Sequence, residues 1–545
     1  MARLDRLGAA KSIAQVASAL GREFSQELLF AVARTDEAAL SAALDKLVDA
    51  GLLFRRGAAG DATYLFKHAL IQDVAYGTLL RQVRRDLHAR IARTLGERFP
   101  HISETQPEIL AHHYFEAALS REAIEWRIKA GERALRRSAL REAVQQFRAG
   151  LNLLKELPDV DDRAKNEIEL QTGLGVALTG HKGYAALETG QAYTRARQLC
   201  EETGNTTTLV RVGYGQYLYH LMAGEVRRSY EVARETLDLA ERLNSDDARV
   251  LGHRTLGVSL FELGQLSDAR RELTLAADLV ASRKKSSKGQ STSETETMIS
   301  TWLAFLLTFQ GYLDDAVRTR EIALTQAHAS AIANTRAFSM GFGTCISCLL
   351  GDLEDFLERA RSMDELAREQ DLQMHKGVSL MFLGVGHMMA GDINARTIFW
   401  NGLSRYRETG GQWALPLWLG LFVAALPSGD QEKVAALTQA FDAVGTTQER
   451  WYEAELYRLK GDMARLICSI KEAEDHYMGA KRIARVQGNT LLDLRASISL
   501  ASLWRDQGRN EQACNMLGSV YSSFSQGFDK PVLREAREFL DAVVS

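Results

Sequence analysis

The chain has 545 residues, 46% of them hydrophobic and 25% charged, with a formal net charge of −3. That length exceeds one compact core and predicts several domains or a repeat array. The composition argues against general disorder, and the missing basic excess argues against a protein built around nucleic acid. Only 6 prolines occur, which favours long helices. Five scattered cysteines give no disulfide framework, no run of about 20 apolar residues could span a membrane, and Met1–Arg6 lacks the apolar core of a signal peptide. A cytoplasmic location without membrane attachment is the expectation.

Residues 1–100 read as a small winged-helix domain. Helices are predicted at Ala9–Leu20 and Gln26–Ala33. A third, Glu37–Ala50, has Asp36 as its cap and Leu40, Leu44, Leu47 and Val48 on one face. Gly51 ends it, and strand-like runs at 52–56 and 63–66 flank a turn at 57–62. The third helix carries Glu37, Asp45, Lys46 and Asp49, an acidic surface that phosphate would repel. Arg81, Arg84, Arg85, Arg90 and Arg93 alternate with Leu80, Val83, Leu87 and Ile91, the pattern of a helix with a solvated basic face.

Residues 101–531 read as an array of helical hairpins. Turns recur at Gly224, Gly264, Gly311, Gly351, Gly391, Gly429, Cys468 and Gly508, spaced 38–47 residues apart and mostly 40. Glycine suits the left-handed residue that ends a helix, and such a period marks a helical solenoid. Around the turns, small residues alternate with large ones, as in Gly257, Leu260, Gly264, Ala269, Leu273 and Ala276. This resembles the tetratricopeptide repeat, whose usual period is about 34 residues. Arg320 and Trp400 stand where that pattern has other residues, so some members are degenerate. The 47-residue step contains 282–297, a run without apolar residues, expected to be a mobile loop. A capping helix at Val532–Val543, within a terminal segment 532–545, is expected to close nine or ten hairpins.

Several other constellations have bland explanations. Cys345-Ile-Ser-Cys348 has zinc or redox spacing but lies in a helical pattern with no second pair, so buried thiols are expected. His112 and His113 point about 100° apart on a helix and chelate poorly. Gly213-Tyr-Gly215, Gly341-Phe-Gly343 and Gly384-Val-Gly386 lack the third glycine of a dinucleotide motif and read as close helix contacts. Trp413, Trp418, Trp451 and Trp504 suit either a binding groove or the seams between helices. Asp314-Asp315 sits at a helix start, where the dipole favours carboxylates.

Taken together, several segments carry a resemblance: Ile13-Ala-Gln-Val-Ala17, Gly21-Arg-Glu-Phe-Ser25, Leu44–Phe54, Tyr64–Tyr76, Leu110-Ala-His-His-Tyr114, Lys182-Gly-Tyr184 and Gln526-Gly-Phe-Asp529. They resemble the bacterial signal-transduction ATPases of the STAND type, often fused to adenylate or guanylate cyclase domains. In that family the order is cyclase, P-loop ATPase, winged helix, tetratricopeptide-like array. No G-x-x-x-x-G-K-S/T loop occurs in this chain. The resemblance therefore implies the regulatory tail of such a protein, without its ATPase and cyclase domains. It also implies that His68, in Phe66-Lys-His68, would contact the β-phosphate of bound ADP if an ATPase module were present. The alternative is a structural histidine at a strand-to-helix junction.

The expected fold class is all-α: a tetratricopeptide-like, right-handed solenoid preceded by a small winged-helix domain. The expected function is a non-catalytic interaction and regulatory module with no cofactor, taking a protein or peptide in the concave face of the array. An ATPase or cyclase domain would be a partner in cis or in trans. A winged-helix transcription regulator with a helical sensor is the alternative from a different class, and an enzyme in its own right is the third.

Overall fold

The computed structural model describes residues 7–57, 62–157, 162–286 and 294–544. The chain divides into two compact units, Met1–Ala177 and Leu178–Ser545. The fold is a long tetratricopeptide-like helical array preceded by a small winged-helix-like subdomain.

The first unit opens with helices α1 (Ala9–Leu20), α2 (Gln26–Ala33) and α3 (Glu37–Asp49), with strand β1 (Glu23–Ser25) between the first two. Ser25 caps α2 through Leu28 N, and Asp36 caps α3 through Ala39 N at 2.7 Å. Strands β2 (Leu53–Arg56) and β3 (Thr63–Phe66) follow, and the sheet order is β1-β3-β2, antiparallel throughout. Strand β1 is absent from the sequence reading, because three residues are too few to show an alternating pattern. Of the expected turn at 57–62, residues 58–61 lie outside the described residues. Ile13, Ala17, Leu40, Leu44 and Leu47 pack with Tyr64 and Phe66 into the core of this subdomain.

Helices α4 (Ala69–Gly77), α5 (Arg81–Arg98), α6 (Pro100–Thr105) and α7 (Pro107–Glu116) come next. The basic face expected on α5 is only partly solvated. Leu87 and Ile91 enter the core, but Leu80 is 75% exposed and Val83 45%. Arg84 turns inward instead, donating to the carbonyls of Leu79 and Gly77 at 3.0 Å and lying over the Tyr76 ring. Helices α8 (Ser120–Arg136) and α9 (Leu140–Glu156) form the first hairpin, turning at Ser138 with φ 57°.

Helix α10 (Arg163–Lys182) runs into the second unit and pairs in sequence with α11 (Leu187–Thr203). The hairpins after it are α12 (Thr206–Met222) with α13 (Val226–Arg242), α14 (Asp246–Glu262) with α15 (Leu266–Ser286), and α16 (Glu294–Phe309) with α17 (Leu313–His328). Then come α18 (Ala333–Leu350) with α19 (Leu353–Glu369), α20 (Gln373–Met389) with α21 (Arg396–Glu408), and α22 (Leu415–Ala425) with α23 (Glu432–Thr447). Helices α24 (Glu453–Leu466) with α25 (Ile470–Gln487) and α26 (Thr490–Asp506) with α27 (Asn510–Tyr521) complete the series before α28 (Pro531–Val544), at the place expected for a capping helix.

Every turn residue singled out in the sequence has positive φ, from 59° at Cys468 to 100° at Gly391. Two of the glycine pairs are close contacts, as expected: a β-carbon at Gly384 would lie 2.6 Å from the backbone nitrogen of Phe399, and one at Gly215 2.3 Å from the Tyr193 ring, whereas Gly343 has only an ordinary contact at 3.5 Å. Both ends of the run expected as a loop at 282–297 are helical. Helix α15 continues to Ser286, α16 begins at Glu294, and 287–293 lie outside the described residues. Lysine, arginine and glutamate sustain a helix without apolar neighbours, and Arg283 pairs with Asp247 on α14. The degenerate positions are satisfied by polar contacts. Arg320 donates to Ser347 Oγ at 2.8 Å and to Asp355 at 3.2 Å, and Trp400 Nε1 donates to Glu432 at 2.7 Å.

Within the second unit the array returns to itself. The Met222 carbonyl accepts from Gln412 N at 2.8 Å, and the Glu262 carbonyl accepts from Arg450 N at 2.7 Å. Asp315 N donates to Gln526 Oε1 at 2.9 Å, Gln526 Nε2 donates back to Asp315 at 3.0 Å, and Gly527 N donates to Asp314 at 2.9 Å. These last three contacts join residues 211 or 213 apart. Asp314 and Asp315 thus do more than favour a helix dipole: they hold the Gln526-Gly527 segment. The first helices of the hairpins are consequently buried on most sides, as in α22, where Leu415 through Val423 are all buried.

Candidate functional site

The inner region of the second unit is where sequence-distant helices converge. Phe261 on α14, Trp302, Phe305 and Phe309 on α16, and Phe342 on α18 meet Trp413 and Trp451, with ring centroids 4.6–6.3 Å apart. Most of these pairs are tilted or edge-to-face, the arrangement aromatic quadrupoles prefer.

A carboxyl group sits among these rings. Glu262, the last residue of α14, is fully buried. Trp413 Nε1 donates to one of its oxygens at 3.0 Å, and Trp451 Nε1 donates to the other at 2.8 Å. Burial pushes its carboxyl up to about 8, against the pull of the two indole donors. Glu449 is buried beside it and accepts from Ala414 N at 3.0 Å. Its carboxyl is driven well above the usual range by burial and then by the neighbouring Glu262, against the Ala414 N–H. Two carboxyls so placed share the cost of ionising, and protons stay on them near neutral pH.

Beside this acid pair lies a small apolar cavity of about 40 Å³, lined by Phe338, Phe342, Met363, Met374, Val378 and Trp418 among others. That is room for water-sized occupants, not for a substrate. His375 and Trp418 line it, each with a buried ring nitrogen that has no hydrogen-bond partner. Burial alone holds His375 down, to about 4, so it is neutral.

Of the four tryptophans weighed in the sequence, Trp413, Trp418 and Trp451 come together here, and Trp504 does not. Trp504 Nε1 donates to Glu474 at 2.8 Å under the Arg509 guanidinium. Cys345 and Cys348 are free thiols on α18, pushed up by burial, Cys348 to about 12. They are therefore poor ligands and nucleophiles. Among the described residues no group of three or more His, Cys, Asp or Glu side chains could hold a metal ion, and no helix is long and apolar enough to cross a membrane.

In the first unit, His68 is exposed at the junction of β3 and α4, the residue before the helix, and its side chain makes no capping hydrogen bond. The acidic residues of α3 are exposed as expected: Glu37, Asp45 and Asp49, with Arg55 paired to Asp45 at 3.1 Å. His112 and His113 do diverge. His113 is buried, its Nδ1 2.8 Å from Nδ1 of His88, whose Nε2 is 2.9 Å from Tyr76 Oη. Burial lowers both, His88 to about 4 and His113 to about 3, so the pair is neutral and ties α4, α5 and α7 together. The sequence reading passed over His88, which sits alone among arginines. It also passed over Glu262, although one acid after Leu260-Phe261 in an apolar helix is a visible signal.

No family model matches the chain. It is 26% identical over 514 residues to an uncharacterised protein of Rhizobium meliloti (strain 1021), an alignment covering 92% of this chain and 49% of that protein. The chain thus spans about half the length of that relative. Among solved structures, a Rap protein complexed with competence and sporulation factor is similar with a TM-score of 0.50 and 13% identity, over 68% of this chain and 99% of that one. The tetratricopeptide-sensor STAND protein PH0952 of Pyrococcus horikoshii is similar with a TM-score of 0.35 and 12% identity, over 74% of this chain and 64% of that one. The likeness is one of fold.

Proposed function

We propose that the chain is a non-catalytic interaction and regulatory module of a cytoplasmic signal-transduction ATPase or cyclase-like system. The array takes a protein or peptide, and the winged-helix-like subdomain passes the signal to a nucleotide-binding partner in cis or in trans. One observation carries this reading. The similarity to the Rhizobium meliloti protein runs over nearly all of this chain and only half of that one, so the same pair of parts recurs beside as much sequence again. A helical array that cannot bury its faces repeat by repeat offers an extended surface for a partner. The solved Rap protein of similar fold has competence and sporulation factor bound.

In this reading His68 faces the nucleotide only when an ATPase module is present. Its exposure at a strand-to-helix junction suits a donor offered to an anion from outside the subdomain. The coding frame upstream of the Met1 codon tests the proposal. A frame that continues into a P-loop is the expected result. A stop codon there removes the cis form, and an ATPase that fails to co-purify with the chain removes the trans form as well.

A further inference from the structure

Arg254, on the middle turns of α14, is 5% exposed. Its guanidinium lies 4.8 Å from the centroid of the Tyr214 ring on α12. Among the described residues no carboxylate stands within ion-pair distance of it. The other buried cations among the described residues of this unit are paired: Arg320 with Asp355 and Lys481 with Asp493. A buried guanidinium without a counter-charge is costly, and a fold keeps one where something else supplies the charge. The neighbours are hydroxyls. Tyr217 Oη and Ser259 Oγ are both sealed from solvent and face each other, with no hydrogen-bond partner beyond that contact. Tyr184 and Tyr214 are only half-buried, so the cluster has an open side along their rings. Glu294, at the start of α16, is the acid whose charge reaches Tyr184 and Tyr214, and it is itself exposed. Glu262 faces Tyr217 from the far end.

We propose that Arg254 receives the carboxylate of a peptide ligand, with Tyr184 and Tyr214 forming the entrance and Tyr217 and Ser259 supplying further hydrogen bonds. The guanidinium lies over Tyr214, and no carboxylate in an ion pair occupies its N–H donors, whose fork suits a bidentate carboxylate. This deepens the reading of the array as a peptide-binding module and rests on it. The carboxylate is either a chain terminus or an acidic side chain, and two probes separate these.

The test is thermal unfolding of the full chain with millimolar N-acetyl-Gly-Phe, its C-terminal amide, or N-acetyl-Asp-Phe-amide. A free carboxylate in either position should raise the midpoint by about 1 °C or more, and the plain amide should not. The arm with the larger shift identifies terminus or side chain. Arg254→Met should raise the midpoint of the ligand-free chain, since it removes an unpaired buried charge, and should abolish the response. Arg254→Lys should fold as the parent does and respond more weakly. Glu294→Gln should leave the ligand-free midpoint unchanged. The proposal is overturned if neither carboxylate shifts the parent chain, if Arg254→Met responds as the parent does, or if Arg254→Met or Glu294→Gln unfolds at a lower temperature, which would make the guanidinium a structural partner. A chain that ignores both carboxylates yet co-purifies with an ATPase loses this site and keeps its regulatory role.

Discussion

Two glutamates of the second unit are equally hidden and electrically opposite. Glu455, on the first turn of α24, is 1% exposed, and Glu262, at the end of α14, is 0% exposed. Glu455 accepts from Arg458 at 2.7 Å and from Arg495 at 2.9 Å. Burial pushes its carboxyl up, but the two guanidinium groups overwhelm that and bring it to about 2. Glu262 has two neutral indole donors and an acidic neighbour, and burial takes it to about 8. Burial alone therefore does not set the charge of a group inside this array; the partner does. The charged pair locks α24 to α26 across neighbouring hairpins, whereas the neutral acid fastens helices far apart in sequence.

The largest expected effect comes from Glu455→Ala. It strips Arg495 of its counter-charge and leaves Arg458 with Asp462 alone, and should cost about 3–5 kcal/mol, read as a drop in the unfolding midpoint. Equal stability of the variant would show that the ion pair contributes nothing. Glu262→Ala should cost less, about 1–3 kcal/mol, because only neutral indole N–H groups lose their acceptor. Denaturant titration of both variants ranks them, and a reversed ranking breaks the comparison.

The pH dependence sharpens it. Glu262 keeps its proton to about pH 8 in the folded chain but releases it near the ordinary value of 4.5 when unfolded. Its contribution to stability is complete below 4.5 and falls as pH rises through about 8. Glu455 acts in the other sense. Its contribution is present above about 4.5 and is lost as pH falls toward 2. Midpoints measured across pH should show both limbs. Glu262→Gln should make the limb above about 4.5 shallower, with Glu449 still raised by burial, and leave the acid limb in place. The smallest effect is Asp45→Asn on α3, which breaks an exposed pair with Arg55 and should stay within about 0.5 kcal/mol.

The repeat skeleton was readable because each hairpin carries its own signal. Gly224 through Gly508 mark the turns, and the small-large pattern marks the seams. The winged-helix-like subdomain was readable from Asp36, Gly51 and the two strand runs, except for β1, whose three residues hold no period. The inner site was not readable for a different reason. Glu262 meets Trp413 and Trp451 at separations of 151 and 189 residues, and nothing local to any of the three announces the others. Gln526-Gly527 stood out as a motif, yet its partners Asp314-Asp315 emerged only once the array was seen to return on itself. His68 was named by resemblance, and its place at the strand-to-helix junction was visible in the chain. What it would contact lies beyond the subdomain that carries it.

This pair of parts is proposed to regulate a nucleotide-dependent partner. The most direct measurement is ATP turnover by the longer Rhizobium meliloti protein, whole and with the segment matching this chain deleted. Such regulation requires that the remaining half hydrolyse ATP and that deletion change the rate several-fold. Turnover absent from the remaining half, or unaltered by the deletion, would contradict it.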